Sequence, residues 1–287
     1  PWRFPLSLPP LPAASSEPAE AHALSIAYQD SLLWDYAPRG PKSKRLHLNL
    51  EISLTGVPAN RFLSREAIYH HWQENDPPSY RKSHGFLDSP DARAILGLLP
   101  PPTPPQSFGD RTSIPEKFAA RLRSRQSPGP YRADIVLNLH RAEITEIPLS
   151  SEQFVSTADS DIRLLQIDAR TATLHLLERG TPAQFHTRLT AAHDQFVLYN
   201  PHTGEALLGS NPMFGFPSIL FSMRSLQYHK LTFAPIVAAN ITSRTERLTD
   251  DFLRDARLVK ISFPIVGTLT RTIEVPAFAP KLDRIAR

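Results

Sequence analysis

The strongest constraint on the fold is the run Lys44 to Pro58, KRLHLNLEISLTGVP. Leu46, Leu48, Leu50, Ile52 and Leu54 fall on every second position, with His47, Asn49, Glu51 and Ser53 between them. Successive side chains of a strand point to opposite faces, so aliphatics collect on one face and polar groups on the other. The spacing predicts a long antiparallel strand with one buried and one wet face. Gly56 and Pro58 end it, because Pro has no N–H to give a ladder.

Two later runs have the same character. Asp134 to Pro148, DIVLNLHRAEITEIP, alternates through Ile135, Leu137 and Leu139, then changes phase to Ala142, Ile144 and Ile147. A one-residue slip around Arg141 fits a β-bulge. Leu258 to Pro276, LVKISFPIVGTLTRTIEVP, is the third. Each run ends in a branched aliphatic followed by Pro, for which a common way of closing strands is a better explanation than duplication of a β-unit. The first two runs are expected to share a sheet.

The chain has 287 residues, 41% hydrophobic and 21% charged, which suits a globular protein of one large or two ordinary domains. It has 29 Pro and 11 Gly, where average usage gives about 14 and about 20. That bias favours stiff loops between short strands. Cys is absent, which excludes disulfides, thiolate metal sites and a Cys nucleophile. The net charge of +4 permits a basic patch without requiring a nucleic-acid partner. The sequence contains no apolar run of the ~18 residues a spanning helix needs.

In chain order, residues 1–20 read as a Pro-rich linker or stalk. Residues 22–36 read as a first strand with a turn at Gln29–Asp30. Residues 64–75 read as a helix, with Ser64 as N-cap, Glu66 in the first turn and Ala67, Ile68, His71 and Trp72 on one face. Residues 89–97 read as a short helix capped by Ser89, and PPPTPP over 100–105 is the strongest breaker. Residues 113–125 read as a helix opened by a Ser113/Glu116 capping box. Beyond Tyr131 the pattern is strand after strand. It includes a hairpin of Ile162–Asp168 with Thr171–Glu178, a turn at Pro201–Gly204 and a helical turn capped by Thr249.

The expected fold is mainly β, an antiparallel sandwich or open barrel with a small helical insertion over about 59–130 in a single domain of 21–280. The alternative is an α+β chain in two domains, divided near 127–130.

Standard catalytic motifs are missing: there is no G-x-S-x-G, H-E-x-x-H, P-loop or G-x-G-x-x-G. Glu66, His70 and Glu74 would share a helical face, a spacing that suits a divalent metal, but a solvated face is the better explanation, and no metal or cofactor is expected. Asp159-Ser160-Asp161 begins like a calcium loop and fails at Ile162 and Arg163. The stretch Tyr28–Phe86 is dense in aromatics and acids. Trp34, Asp35, Tyr36, Trp72 and Glu74 are its candidate ligand-binding residues, because aromatic platforms beside carboxylates suit sugars. Core packing of the indoles is the competing reading. Lys117, Arg121 and Arg125 make a basic helical stripe, a candidate anion-binding surface for acidic lipid or nucleic acid.

The expected function is a non-catalytic binding or structural domain acting through a protein partner. It would be periplasmic or extracellular, reaching a membrane only through an anchor ahead of Pro1. The alternatives are a carbohydrate-binding module or glycoside-active enzyme, and an anion-surface binder. Catalytic residues cannot be named from the sequence, and the balance is against an enzyme. Nucleic acid is disfavoured as a partner.

Overall fold

The computed structural model describes residues 24–36, 44–57, 61–72, 79–82, 86–87, 90–100, 107–123, 131–149, 153–157, 160–180, 195–210, 226–237, 240–241 and 247–275. The fold is mainly antiparallel β with a few short helices. The chain falls into two compact units interleaved in sequence. The first takes residues 1–83, 104–139 and 266–287, and the second 84–103 and 140–265. The opening stretch 1–20 lies outside the described residues.

In the first unit, β1 (Ser25–Tyr36), β2 (Lys44–Thr55) and β5 (Ser107–Ser113) form one sheet in the order β1-β2-β5. The organising run is β2, and Leu48, Leu50, Ile52 and Leu54 are all buried as its alternation requires. Gly56 at φ 73 leads out of it, a left-handed conformation that Gly adopts without a Cβ clash. β1 pairs with β2 from Ser25 to Tyr36 without interruption, so the expected turn at Gln29–Asp30 is absent.

The other sheet orders β16-β6-β3-β4, from β3 (Phe62–His71), β4 (Ser79–Lys82), β6 (Tyr131–His140) and β16 (Ile265–Val275). Here the expectation of a helix over 64–75 is corrected, since its described residues, 64–72, are β3 and the residue after it. Ala67 to His70 are four consecutive buried residues. A strand covered on both faces loses its alternation, and four apolar-side residues in a row then mimic a helical face. β2 and β6 belong to different sheets, which corrects their expected pairing.

Among the described residues of the region 59–130, two helices stand beside the strands β3, β4 and β5. α1 (Ala92–Ile95) is capped by Asp91, whose carboxylate accepts from Arg93 N, and not by Ser89. α2 (Glu116–Arg123) starts after Ser113, which instead ends β5.

In the second unit the sheet path runs β7-β15-β11-β12-β13-β10-β9-β8. Its strands are β7 (Glu143–Ile147), β8 (Val155–Ser156), β9 (Asp161–Asp168), β10 (Thr173–Arg179), β11 (Gln195–Tyr199), β12 (Ala206–Ser210), β13 (Leu226–Val237) and β15 (Arg257–Ser262). β14 (Asn240–Ile241) pairs beside β13. β7 returns next to β9, so the path curls into a nearly closed barrel. Its core includes Leu164, Leu174, Leu176, Leu198, Leu231, Phe233 and Leu258, with Phe252 of α3 (Asp250–Asp255).

The slip at Arg141 is not a bulge but the break between β6 and β7, which join different sheets. The third run breaks likewise at Phe263-Pro264, between β15 and β16. The hairpin of β9 and β10 forms as the sequence implies. Asn200 Oδ1 accepts from His202 N and Thr203 N in the turn before β12, and Gly204 takes φ 72 there. Thr249 caps α3, accepting from Phe252 N at 3.2 Å.

Candidate functional site

The feature that packing does not explain lies on the outer face of β9, β10 and β13. Inward positions on β9 are Ile162 and Leu164, then Ile167, which is an odd step away. The ladder absorbs that step with a bulge: Leu176 faces Leu164 and His175 faces Gln166, leaving Leu165 extra. Leu165 and Gln166 are therefore both turned to solvent, and Leu165 is 45% exposed. On β13, Tyr228 pairs with Leu177 of β10 and is 58% exposed. Its hydroxyl contacts His175 Nδ1. Leu177 in turn pairs with Arg163. Tyr228, Leu177 and Leu165 thus share one outer surface, with His175 among them. At its edge Phe154 lies under two guanidinium groups, Arg179 at 4.6 Å and Arg163 at 5.2 Å from the ring centre.

Three polar clusters are the other candidates, and two of them are buried, while the third opens to solvent at Arg132 and His71. Inside the barrel-like sheet Lys260 is 0% exposed. Its ammonium donates to Glu178 Oε1 at 3.3 Å, Ser160 Oγ at 3.2 Å and Thr157 Oγ1 at 3.4 Å. Ser160 also donates to Glu178, and His229 Nε2 donates to Glu178 Oε2 at 2.8 Å. A Ser beside a Lys is a nucleophile–base pair in principle. Here one carboxylate accepts from three donors, so Glu178 anchors the group and Lys260 is committed to it.

In the first unit, Asp110 accepts from Arg65 Nη1 at 3.2 Å, and His70 Nε2 lies 3.4 Å from its other oxygen. His70 Nδ1 is 2.8 Å from the Tyr131 hydroxyl. Asp134 is held by His71 Nε2 at 2.8 Å, Arg132 Nε at 3.0 Å and Thr272 Oγ1 at 2.7 Å. The sequence reading placed His71 with the packed residues, but His70 is the buried one, and His71 is partly open.

The predicted site residues do not come together as one described constellation. Trp34, Asp35 and Tyr36 occupy the end of β1 opposite Leu46, Arg45 and Lys44, with their side chains outside the described residues. Glu74 also lies outside them. Trp72 is 2% exposed and packs on Tyr131 at 4.8 Å and Phe118 at 5.0 Å between ring centres. Lys117 and Arg121 are exposed on α2, and Arg125 is outside the described residues. Glu66, no longer on a helix, accepts from Asn138 Nδ2 at 3.2 Å. Among the described residues no group of three or more His, Asp or Glu is arranged to hold a metal ion, and no helix is long and apolar enough to cross a membrane. The outer face was missed because the odd step in β9 hid which of its residues face solvent; that phase change was itself the available signal.

No family model, curated protein or solved structure matches this chain.

Proposed function

We propose that the chain is a non-catalytic binding protein that acts through a protein partner. The observation carrying this reading is the outer face of β9, β10 and β13, where Leu165 and Tyr228 project from the sheet into solvent. Tyr is over-represented in interface centres, where its ring gives contact area and its hydroxyl a hydrogen bond. The buried Glu178 cluster supports the same reading, because Lys260, Ser160 and His229 all donate to its one carboxylate. An exported or membrane-tethered setting belongs to it, supported by the stalk-like Pro-rich composition of 1–20.

The test is affinity recovery from extracts of the source cells with the wild type and with a Leu165→Ser/Tyr228→Ser double variant. The expected result is a protein retained by the wild type and lost by a folded double variant. Identical recoveries from the two would contradict the proposal. Fractionation of the source cells tests the location, with a cytosolic pool as the contrary result.

A further inference from the structure

We propose that the outer face of β9, β10 and β13 takes an acidic protein segment carrying aliphatic anchors. This rests on the partner reading above and adds the partner's chemistry. Two rows cross the middle of the face in register: Lys230–His175–Gln166 and Tyr228–Leu177–Arg163. They hold two permanent cations and no carboxylate. Leu165 bulges out beside Gln166 and adds aliphatic surface to the same rows. The carboxylates at outward positions of β9 stand at its two ends and are engaged within the fold. Asp161 accepts from Arg179 Nη2 at 2.7 Å, and Asp168 accepts from Thr171 Oγ1 at 2.8 Å and Arg170 N at 3.0 Å.

The face is therefore apolar at its centre, with the cation of Lys230 beside it and the two carboxylates of β9 held at its ends. An aliphatic anchor seated among Leu165, Leu177 and Tyr228 removes apolar area from water, which supplies affinity. A carboxylate beside that anchor meets Lys230 in a charge-assisted hydrogen bond. A basic segment would instead meet like charge, and the same rows would reject it.

The experiment is fluorescence anisotropy with two labelled synthetic peptides, one carrying Leu and Phe anchors flanked by Glu, the other identical but with Lys for Glu. The proteins are the wild type, Leu165→Ser and Lys230→Glu. The acidic peptide is expected to bind the wild type at least about tenfold more tightly than the basic one, and to weaken about tenfold in each variant. Its affinity is expected to fall as salt is raised. Equal binding of both peptides overturns the charge assignment while leaving a protein partner in place. Binding that neither variant changes overturns the assignment to this face. Absence of binding by either peptide overturns the inference, and the recovery experiment above then stands or fails separately.

Discussion

Single residues decide two matters. Lys260 is the most deeply buried cation among the described residues, and Glu178 compensates it. Removing one partner of such a pair strands the other's charge. Lys260→Met alone should therefore cost about 3–5 kcal/mol in urea unfolding, and Lys260→Met with Glu178→Gln should cost less than the two single changes together. His140 is also buried. Burial pushes its pKa below the ordinary 6.5, against the opposing effect of the Phe263 carbonyl oxygen 2.8 Å from Nδ1. The unfolded chain then binds the proton more readily than the folded one. The contribution of His140 to stability is complete above about pH 6.5 and is lost as pH falls through the depressed folded value. His140→Gln should flatten stability against pH in that acid window, as measured by urea midpoints; an unchanged slope there would contradict this account.

Elements show what the sequence made legible. β2 was readable because one of its faces is buried and the other wet, and Leu48 to Leu54 keep strict period. The β9–β10 hairpin was readable because its turn residues separate two apolar runs. β3 was not readable: Ala67, Ile68, Tyr69 and His70 are covered on both sides, and a buried strand carries no local mark separating it from a helix. The break at Arg141 was visible only as lost phase, since a bulge and a change of sheet leave the same trace, while Pro264 was the mark of the break in the third run. In β9 the lost phase was a bulge. Deleting Leu165 would leave Leu164 opposite Leu176, Gln166 opposite His175 and Ile167 opposite Leu174, the pairs already present. The deletion should thus change stability by less than about 1 kcal/mol in thermal unfolding, while removing the aliphatic projection. Collapse of the fold on deletion would show that the bulge is needed for the barrel's twist.

For the whole molecule, the mainly β class followed from Pro-rich, Gly-poor composition and period-2 runs. The interleaving of the two units did not, because it depends on which distant strands pair, and pairing partners leave no local signal. Of the candidate residues, Trp72 proved to be core, where it packs with Tyr131 and Phe118, while the outer face of the second unit emerged only from strand register. The most direct test of that face places a photo-crosslinking benzoyl-phenylalanine at position 165 in one protein and at position 99, an exposed leucine elsewhere in the second unit, in another. After irradiation in extracts of the source cells, the account predicts a discrete protein adduct from position 165 and none from position 99. Equal adducts from both positions, or a partner that co-purifies yet never links to position 165, would contradict it.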